Sequence, residues 1–481
     1  MFALVRELCE EAVSAALAAG ASYADARAVL RRAQTVETRN RRVDRFDDME
    51  SEGLGVRALV DGAWGFACDR RLSADGAQAA AAKATEFARA APGGHHRALA
   101  PVEPGRGEYR TPFEKDPFAI PLADKVSHCL RAEEAMAHED VNVTAAFVRA
   151  QREQRVFVSS EGAATEQEVV ECGGGIDATA SRDGITQIRS HPSAHGGSSA
   201  QAGWEYVESL ALEREAPRVG EQAAALLQAD PCPSQVTTVV IDAEQMELQV
   251  HESVGHPTEL DRVYGTEAAY AGTSFLKPGD LGSLRYGSEH MNVTADPTTP
   301  GGLGTFAFDD EGIRAQRVPV VAEGVLRGFL SSRETASRIG SGSGGSMRAD
   351  GWSRMPLVRM TNLHLEPGEG SLDELIAGVD DGLFLQTNKS WSIDDKRLNF
   401  QFGTQVAWEI KGGKLGRMLR DATYTGQTPI FWASLDAVAG PDEWLLHGLT
   451  NCGKGQPGQH AHVSHGTSPA RFRNVQVGFR Q

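Results

Sequence analysis

Apolar positions along this chain switch between a helical and an alternating period, and the switches mark out its elements. From Met1 to Ala19 the apolar residues are Leu4, Val5, Leu8, Cys9, Ala12, Ala15 and Ala16. That is helical spacing, interrupted by Glu7, Glu10 and Glu11 and closed by Gly20. Tyr23 to Leu30 reads as a strand. Leu54 to Val60 and Trp64 to Cys68 flank Asp61-Gly62, a strong hairpin signal. Ser73 is placed to cap a helix that runs to Ala91, where Pro92 stops it. Residues 92–120 are rich in Pro, Gly and His and read as a linker. Asp124 to His138 is expected to be helical. Val141 to Arg149, Arg155 to Ser159 and Gln167 to Gly173 are expected as strands, and Trp204 to Gln228 as a helix.

Asp230-Pro231-Cys232-Pro233-Ser234 has the composition of a domain boundary. It divides the chain into residues 1–230, with a possible subdivision near 92–120, and residues 235–481. Gln235 to Ile241 is a β-branched strand. Asp242 follows as a cap for a helix carrying Met246, Leu248 and Val250, with His251 towards its end. The rest is β-rich. Val318 to Ala322 and Val325 to Leu330 flank Glu323-Gly324, and Thr404 to Ile410 and Lys414 to Leu419 flank Gly412-Gly413. Thr305 to Phe308 leads into Asp309-Asp310-Glu311-Gly312. Arg338 to Gly351, rich in Gly and Ser, reads as a mobile loop. The expected class is α+β: a mixed N-terminal domain and a β-rich C-terminal domain.

Composition narrows the function. With 481 residues the chain has room for two or three cores. A net charge of −17, from 48 basic and 65 acidic side chains, opposes binding to nucleic acid or an anionic membrane. The six cysteines are scattered without paired spacing, so no disulfide framework is expected. The first residues do not read as a signal peptide and no apolar run is long enough to span a bilayer. A reducing cytoplasm is the expected compartment.

The chemistry concentrates in His251-Glu252-Ser253-Val254-Gly255-His256. Two imidazoles and a carboxylate on one helix are the material of a hydrolytic zinc site. On an ideal α-helix residues i and i+5 lie about 140° apart, against about 40° for i and i+4. Both His face one metal only if the helix widens by a π-type turn or ends between them. Pro257 disfavours helical geometry at His256, and Gly255 relaxes the backbone before it. The plain alternative is a surface helix with two solvated imidazoles. Ser253 lacks the G-x-S-x-G frame of a serine nucleophile.

A catalytic zinc needs a third protein ligand. Glu259, Asp261, His290, Cys452, His460, His462 and His465 are available. Cys452 stands out, in a short polar Gly-flanked loop where Lys454 would favour the thiolate. Glu259 and Asp261 suit hydrogen bonds to a ligating His better. His460 and His462 read as polar loop residues, and Asp309-Asp310-Glu311-Gly312 as a polar turn rather than a cation loop.

At these residues the chain resembles the TldD/PmbA family, on its TldD (metalloprotease) side. Gly53-Leu54-Gly55-Val56-Arg57, Asp61 to Ala67, the His251 to His256 motif, Asp309 to Gly312, Arg359-Met360-Thr361-Asn362, Cys452-Gly453-Lys454 and Pro469 to Val475 resemble family segments in order. The resemblance implies a zinc held by His251, His256 and Cys452, with Glu252 as catalytic base. The expected substrate is an extended or unfolded peptide, whose backbone can pair with an exposed strand; the alternatives are a zinc-stabilised scaffold or modulator subunit without turnover, or a zinc amidase acting on small molecules. The resemblance also implies a dimer, either of identical chains or with a PmbA/TldE-type subunit. Trp391 to Phe400 and Gln456 to His465 look different from the bacterial TldD pattern. Arg348, in the expected loop, is a candidate for steering substrate.

Overall fold

The computed structural model describes residues 2–91, 98–194, 197–269 and 272–478. Pro92 and the first part of the expected linker, 92–97, lie outside the described residues. The opening helix runs Phe2–Ala18 and the Ser73-capped helix Ala74–Ala90, with the Ser73 hydroxyl accepting from the Gly76 amide. Asp61 and Gly62 both take positive φ, as a tight two-residue hairpin turn requires.

The first half builds one eight-stranded sheet. Its strands are β1 (Tyr23–Arg39), β2 (Arg42–Val60), β3 (Ala63–Asp69), β4 (Arg106–Arg110), β5 (Val141–Ser159), β6 (Ala164–Arg182), β7 (Ile185–His191) and β8 (Ser198–Ala200). The order is β3-β2-β1-β5-β6-β4, with β7 and β8 also on β6. The first two helices cover one part of it through Ala- and Val-rich packing. Helices Leu122–Ala135 and Leu212–Leu226 cover another part.

These strands are much longer than their apolar patterns. β5 is continuous where the hydrophobic pattern breaks at residues 150–154, and β1 and β2 run on through polar residues. Cross-strand ion pairs replace apolar contacts there: Arg31 bonds Glu153 at 2.8 Å and Arg32 bonds Asp48 at 2.9 Å. The expected linker is not all linker, since β4 joins β6 in parallel. The expected helix from Trp204 to Gln228 is broken at Ala211, which adopts φ 50° between two shorter helices. Thr305 to Phe308 forms no strand; Phe308 makes only a bridge to Arg314.

In the second half, strands Gln235–Ile241, Ala470–Val477, Thr423–Gln427, Asn399–Lys411 and Asp381–Ile393 pair in turn, and the last pairs again with the first, closing a barrel. Phe400, Tyr424, Phe431, Trp432 and Phe472 fill its neighbourhood; the rings of Phe431 and Phe472 stack at 4.2 Å. The expected mobile loop Arg338 to Gly351 is instead tied down. Met347–Arg348 pairs with Leu357–Val358, and Ser343, Ser346, Met347 and Ala349 are buried. No described helix is long and apolar enough to cross a membrane.

Candidate metal centre

Strand Gln235–Ile241 ends at Asp242, whose carboxylate accepts from the Gln245 amide at 2.8 Å and starts the helix Ala243–Val250. The helix does not stop there. His251–Gly255 is a π turn, in which the His256 amide donates to the His251 carbonyl five residues back. A short 3-10 turn, His256–Thr258, follows. The widened turn brings the two rings to 4.8 Å between centroids, nearly perpendicular. Two local expectations need correction. His256 keeps helical φ and ψ in spite of Pro257, because the π bond carries the helix through it. Gly255 also has helical geometry; it is small because a Cβ there would lie 2.0 Å from Met360 Sδ.

The π turn is braced from behind. Trp432 Nε1 donates to Ser253 Oγ at 2.8 Å, and Tyr286 donates to the Ser253 carbonyl at 2.5 Å. Ser253 is therefore a buried support, with no access to a substrate. Thr258 Oγ1 caps the carbonyls of Val254 and Gly255 at 2.8 and 2.9 Å.

Cys452 does not lie in a loop. It belongs to strand Leu445–Lys454, paired with Gln459–Thr467, and is 3% exposed within the apolar core. The register slips between Leu449 and Cys452, and this irregularity turns Cys452 towards the helix. Its Sγ lies 3.8 Å from His256 Nε2, and ligand atoms of His251, His256 and Cys452 all fall within 4.8 Å of one another. Glu252 is 6% exposed on the wall of the adjoining cavity, its Oε2 2.6 Å from Arg397 Nη1.

Hydrogen bonds set the imidazole tautomers. His465 Nδ1 donates to the Leu363 carbonyl at 3.0 Å, so its Nε2 is an acceptor. His251 Nδ1–H donates to that Nε2 at 2.8 Å, which leaves His251 Nε2 with a lone pair. His256 Nδ1–H donates to Glu259 Oε2 at 3.0 Å, leaving its Nε2 lone pair beside Cys452. Glu259 is fully buried but charged. Burial pushes its carboxyl up, and Lys454, Arg262 and His256 together hold it well below the ordinary range. Burial brings both His251 and His256 down to about 4, so both are neutral near pH 7. Burial raises the Cys452 thiol, but Arg359 and His256 outweigh it and bring it down to about 7. Lys454, expected beside the thiol, instead points to Asp261 at 2.8 Å and the Val358 carbonyl at 2.6 Å.

The other candidates separate cleanly. His465 backs His251 rather than joining the ligand atoms. Glu259 supports His256 as expected, whereas Asp261 contacts no ligand and pairs with Lys454. His290 is exposed in a turn. His460 and His462 lie on strand Gln459–Thr467, and His462 Nδ1 meets Glu171 at 2.5 Å. Both border a different polar cavity, as does Arg348, which donates to the Met360 carbonyl at 2.9 Å and takes no part in this site. Asp309, Asp310 and Glu311 form a buried turn whose carboxylates are occupied by backbone amides and Arg155. Sequence reasoning did not find Arg397 or Glu247. Glu247 had a local signal, since it stands four residues before His251 on the same helix. Arg397 had none.

Two neutral Nε2 lone pairs and a thiol drawn towards thiolate fit zinc, a borderline-soft ion of N and S ligands. The cavity beside them is about 250 Å³.

Residues 24–88, 115–229 and 234–478 match, in order, the family models described as PmbA/TldA metallopeptidase domain 1, central domain and C-terminal domain. A protein named Metalloprotease from Methanothermobacter thermautotrophicus is 30% identical over 456 residues, 95% of each chain. One named Zinc metalloprotease TldD homolog from Saccharolobus solfataricus is 25% identical over 241 residues, 50% of this chain and 51% of that one. The crystal structure of TldE from Thermococcus kodakarensis matches with a TM-score of 0.73 at 16% identity, over 98% of this chain and 100% of that one. That last likeness concerns the fold.

Proposed function

Because the chain belongs to the PmbA/TldD metallopeptidase family, we propose that it is a zinc-dependent peptidase acting on extended or unfolded peptides. His251 Nε2, His256 Nε2 and Cys452 Sγ would hold the ion. Glu252 would be the catalytic base. The observation that carries this reading is the π bond from His256 to His251, which brings two neutral imidazole nitrogens and the Cys452 thiol to one point beside a carboxylate.

Zinc bound there supplies Lewis acidity towards water and a peptide carbonyl. The protein's own groups do the rest. Glu252 takes the proton of the attacking water and returns it to the leaving amine. Arg397, 2.6 Å away, orients that carboxylate. His465 and Glu259 hold the ligand rings in the tautomers that present Nε2. Burial of all these groups lowers the local dielectric and strengthens each charge interaction. The working form is proposed to be a dimer, either of identical chains or with a PmbA/TldE-type subunit. The shared fold with TldE supports the second possibility.

The test is Glu252→Gln with an unfolded protein substrate. The peptidase reading expects the variant to keep its zinc and lose cleavage by roughly a hundredfold or more. A zinc-loaded wild type that cleaves no peptide, or a variant that cleaves as well as wild type, would refute it.

A further inference from the structure

The helix that carries the first ligand presents Glu244, Glu247, Leu248, His251 and Glu252 to the cavity. Their spacing is that of one helical face. Three are carboxylates, and two of those are accounted for. Glu252 holds Arg397. Glu244 accepts from the Ala194 amide at 3.2 Å and is also bonded by Thr387 and Ser193 side chains.

Glu247 differs. It is 6% exposed, yet among the described residues its side chain has no hydrogen bond and no ion pair. Its oxygens are not sealed inside protein; they reach the cavity it lines. The charge that bears on it is another carboxylate, Glu244. Arg397 is the only Lys or Arg among the described lining residues, and Glu252 already holds it. The described lining of the cavity also includes the neutral residues Leu248, Leu449, Trp391 and Asn388. A carboxyl buried without a partner is costly, and the cost is recovered when a donor arrives. Glu247 is one helical turn before His251, about 6 Å along the axis. That is a little under the span of two residues of an extended peptide.

We infer that Glu247 is a specificity-determining residue that receives the cationic group of the substrate, either a free α-ammonium or a Lys or Arg side chain, one helical turn from the ligand cluster. This rests on the peptidase reading of the same site and names the substrate class it favours. Glu247 gives up its proton as the cation arrives, and its carboxylate accepts a charge-assisted hydrogen bond; the other described carboxylates of the cavity, Glu244 and Glu252, are already engaged.

The test compares peptides of equal length and neutral background: one acetylated at its N-terminus and carrying norleucine, one acetylated and carrying lysine in place of the norleucine, and one with norleucine and a free N-terminus. Binding is measured by calorimetry on Glu252→Gln protein, prepared with and without zinc, and kcat/KM on the wild type and on Glu247→Gln. At least one cationic peptide should bind about tenfold tighter than the neutral one. The lysine and free-amine arms show which source of cation is read. Adding Glu247→Gln should collapse the preference and leave neutral-peptide affinity within about twofold. Equal binding of neutral and cationic peptides while Glu247 is present would overturn the inference. That comparison needs no change at 247, so it decides the matter even if the variant does not fold. A binding preference without cleavage by the wild type would refute the peptidase reading and leave the cation site standing. Cleavage without preference would do the reverse.

Discussion

The amide of His256 bonds to the carbonyl of His251, one residue beyond the ordinary helical partner. This bond lets two imidazoles five residues apart converge on one point. On a regular helix the second imidazole would point well away from the first. Here the rings sit 4.8 Å apart, and Ser253, at the middle of the turn, is pinned by Trp432 and Tyr286.

Gly255 keeps the turn against strand Leu363–Leu365 and Met360. Gly255→Ala places a methyl 2.0 Å from Met360 Sδ. The expected cost is about 1–3 kcal/mol of stability. Combined with Met360→Ala, the two changes should cost less than their sum by about 1 kcal/mol. Thermal or denaturant unfolding of the four proteins checks this; strict additivity would mean that the two residues are not in conflict.

Glu259 and Glu252 are both buried carboxylates beside the ligands, but they should fail differently. Glu259→Gln strips a fully buried anion from Arg262 and Lys454 and leaves His256 a neutral, weaker acceptor. Stability of the metal-free protein should fall by about 3 kcal/mol, and zinc affinity by roughly ten- to a hundredfold. Glu252→Gln, which removes a single partner from the less buried Arg397, should cost less stability and leave zinc affinity nearly unchanged. Unfolding curves and competitive zinc titration separate the two; equal effects would contradict the assigned roles.

Arg397 owes its place to the turn between strands Asp381–Ile393 and Asn399–Lys411, where it adopts φ 62° and its amide donates to Asp394 at 2.8 Å. Arg397→Ala should lower kcat by roughly tenfold or more through a misplaced Glu252, with zinc content unchanged. Loss of zinc in that variant would instead place Arg397 in the support of the metal ligands.

Glu247 should also make stability depend on pH. Burial, reinforced by Glu244, raises its carboxyl from 4.5 to about 8. Between those values the folded protein keeps the proton and the unfolded chain loses it. Stability from this group is therefore present at low pH and is lost as pH rises through the window, by at most about 1.4 kcal/mol per pH unit. Glu247→Gln should abolish that loss, so its advantage over the wild type should grow from pH 5 to pH 8. A difference independent of pH would show that Glu247 titrates normally.

Much of this site was legible in the residues themselves. The strand, the Asp242 cap, the helix and the need for either a π-type turn or a helix end between the two His follow from local spacing, because helical geometry is local; the choice between the two is made by the tertiary support of Ser253. Cys452 could be nominated but not placed. Its approach to His256 depends on a slipped register 196 residues away in sequence. The same holds for Arg397, brought to Glu252 by the closure of the barrel. The long strands β1, β2 and β5 extend beyond their apolar alternation because their outer parts are held by ion pairs such as Arg32–Asp48 and Arg31–Glu153, which leave no hydrophobic period to detect. The buried segment around Met347 looked mobile because Gly and Ser dominate it, yet Asp309 and Asp310 anchor its amides at 3.0 and 2.7 Å.

The most direct test of the central claim is the zinc content of the purified protein and of Cys452→Ala, measured in parallel by elemental mass spectrometry after zinc reconstitution and desalting. A His/His/Cys centre gives about one zinc per chain in the wild type and little or none in the variant. No specific zinc in the wild type, or an undiminished zinc in Cys452→Ala, would contradict it.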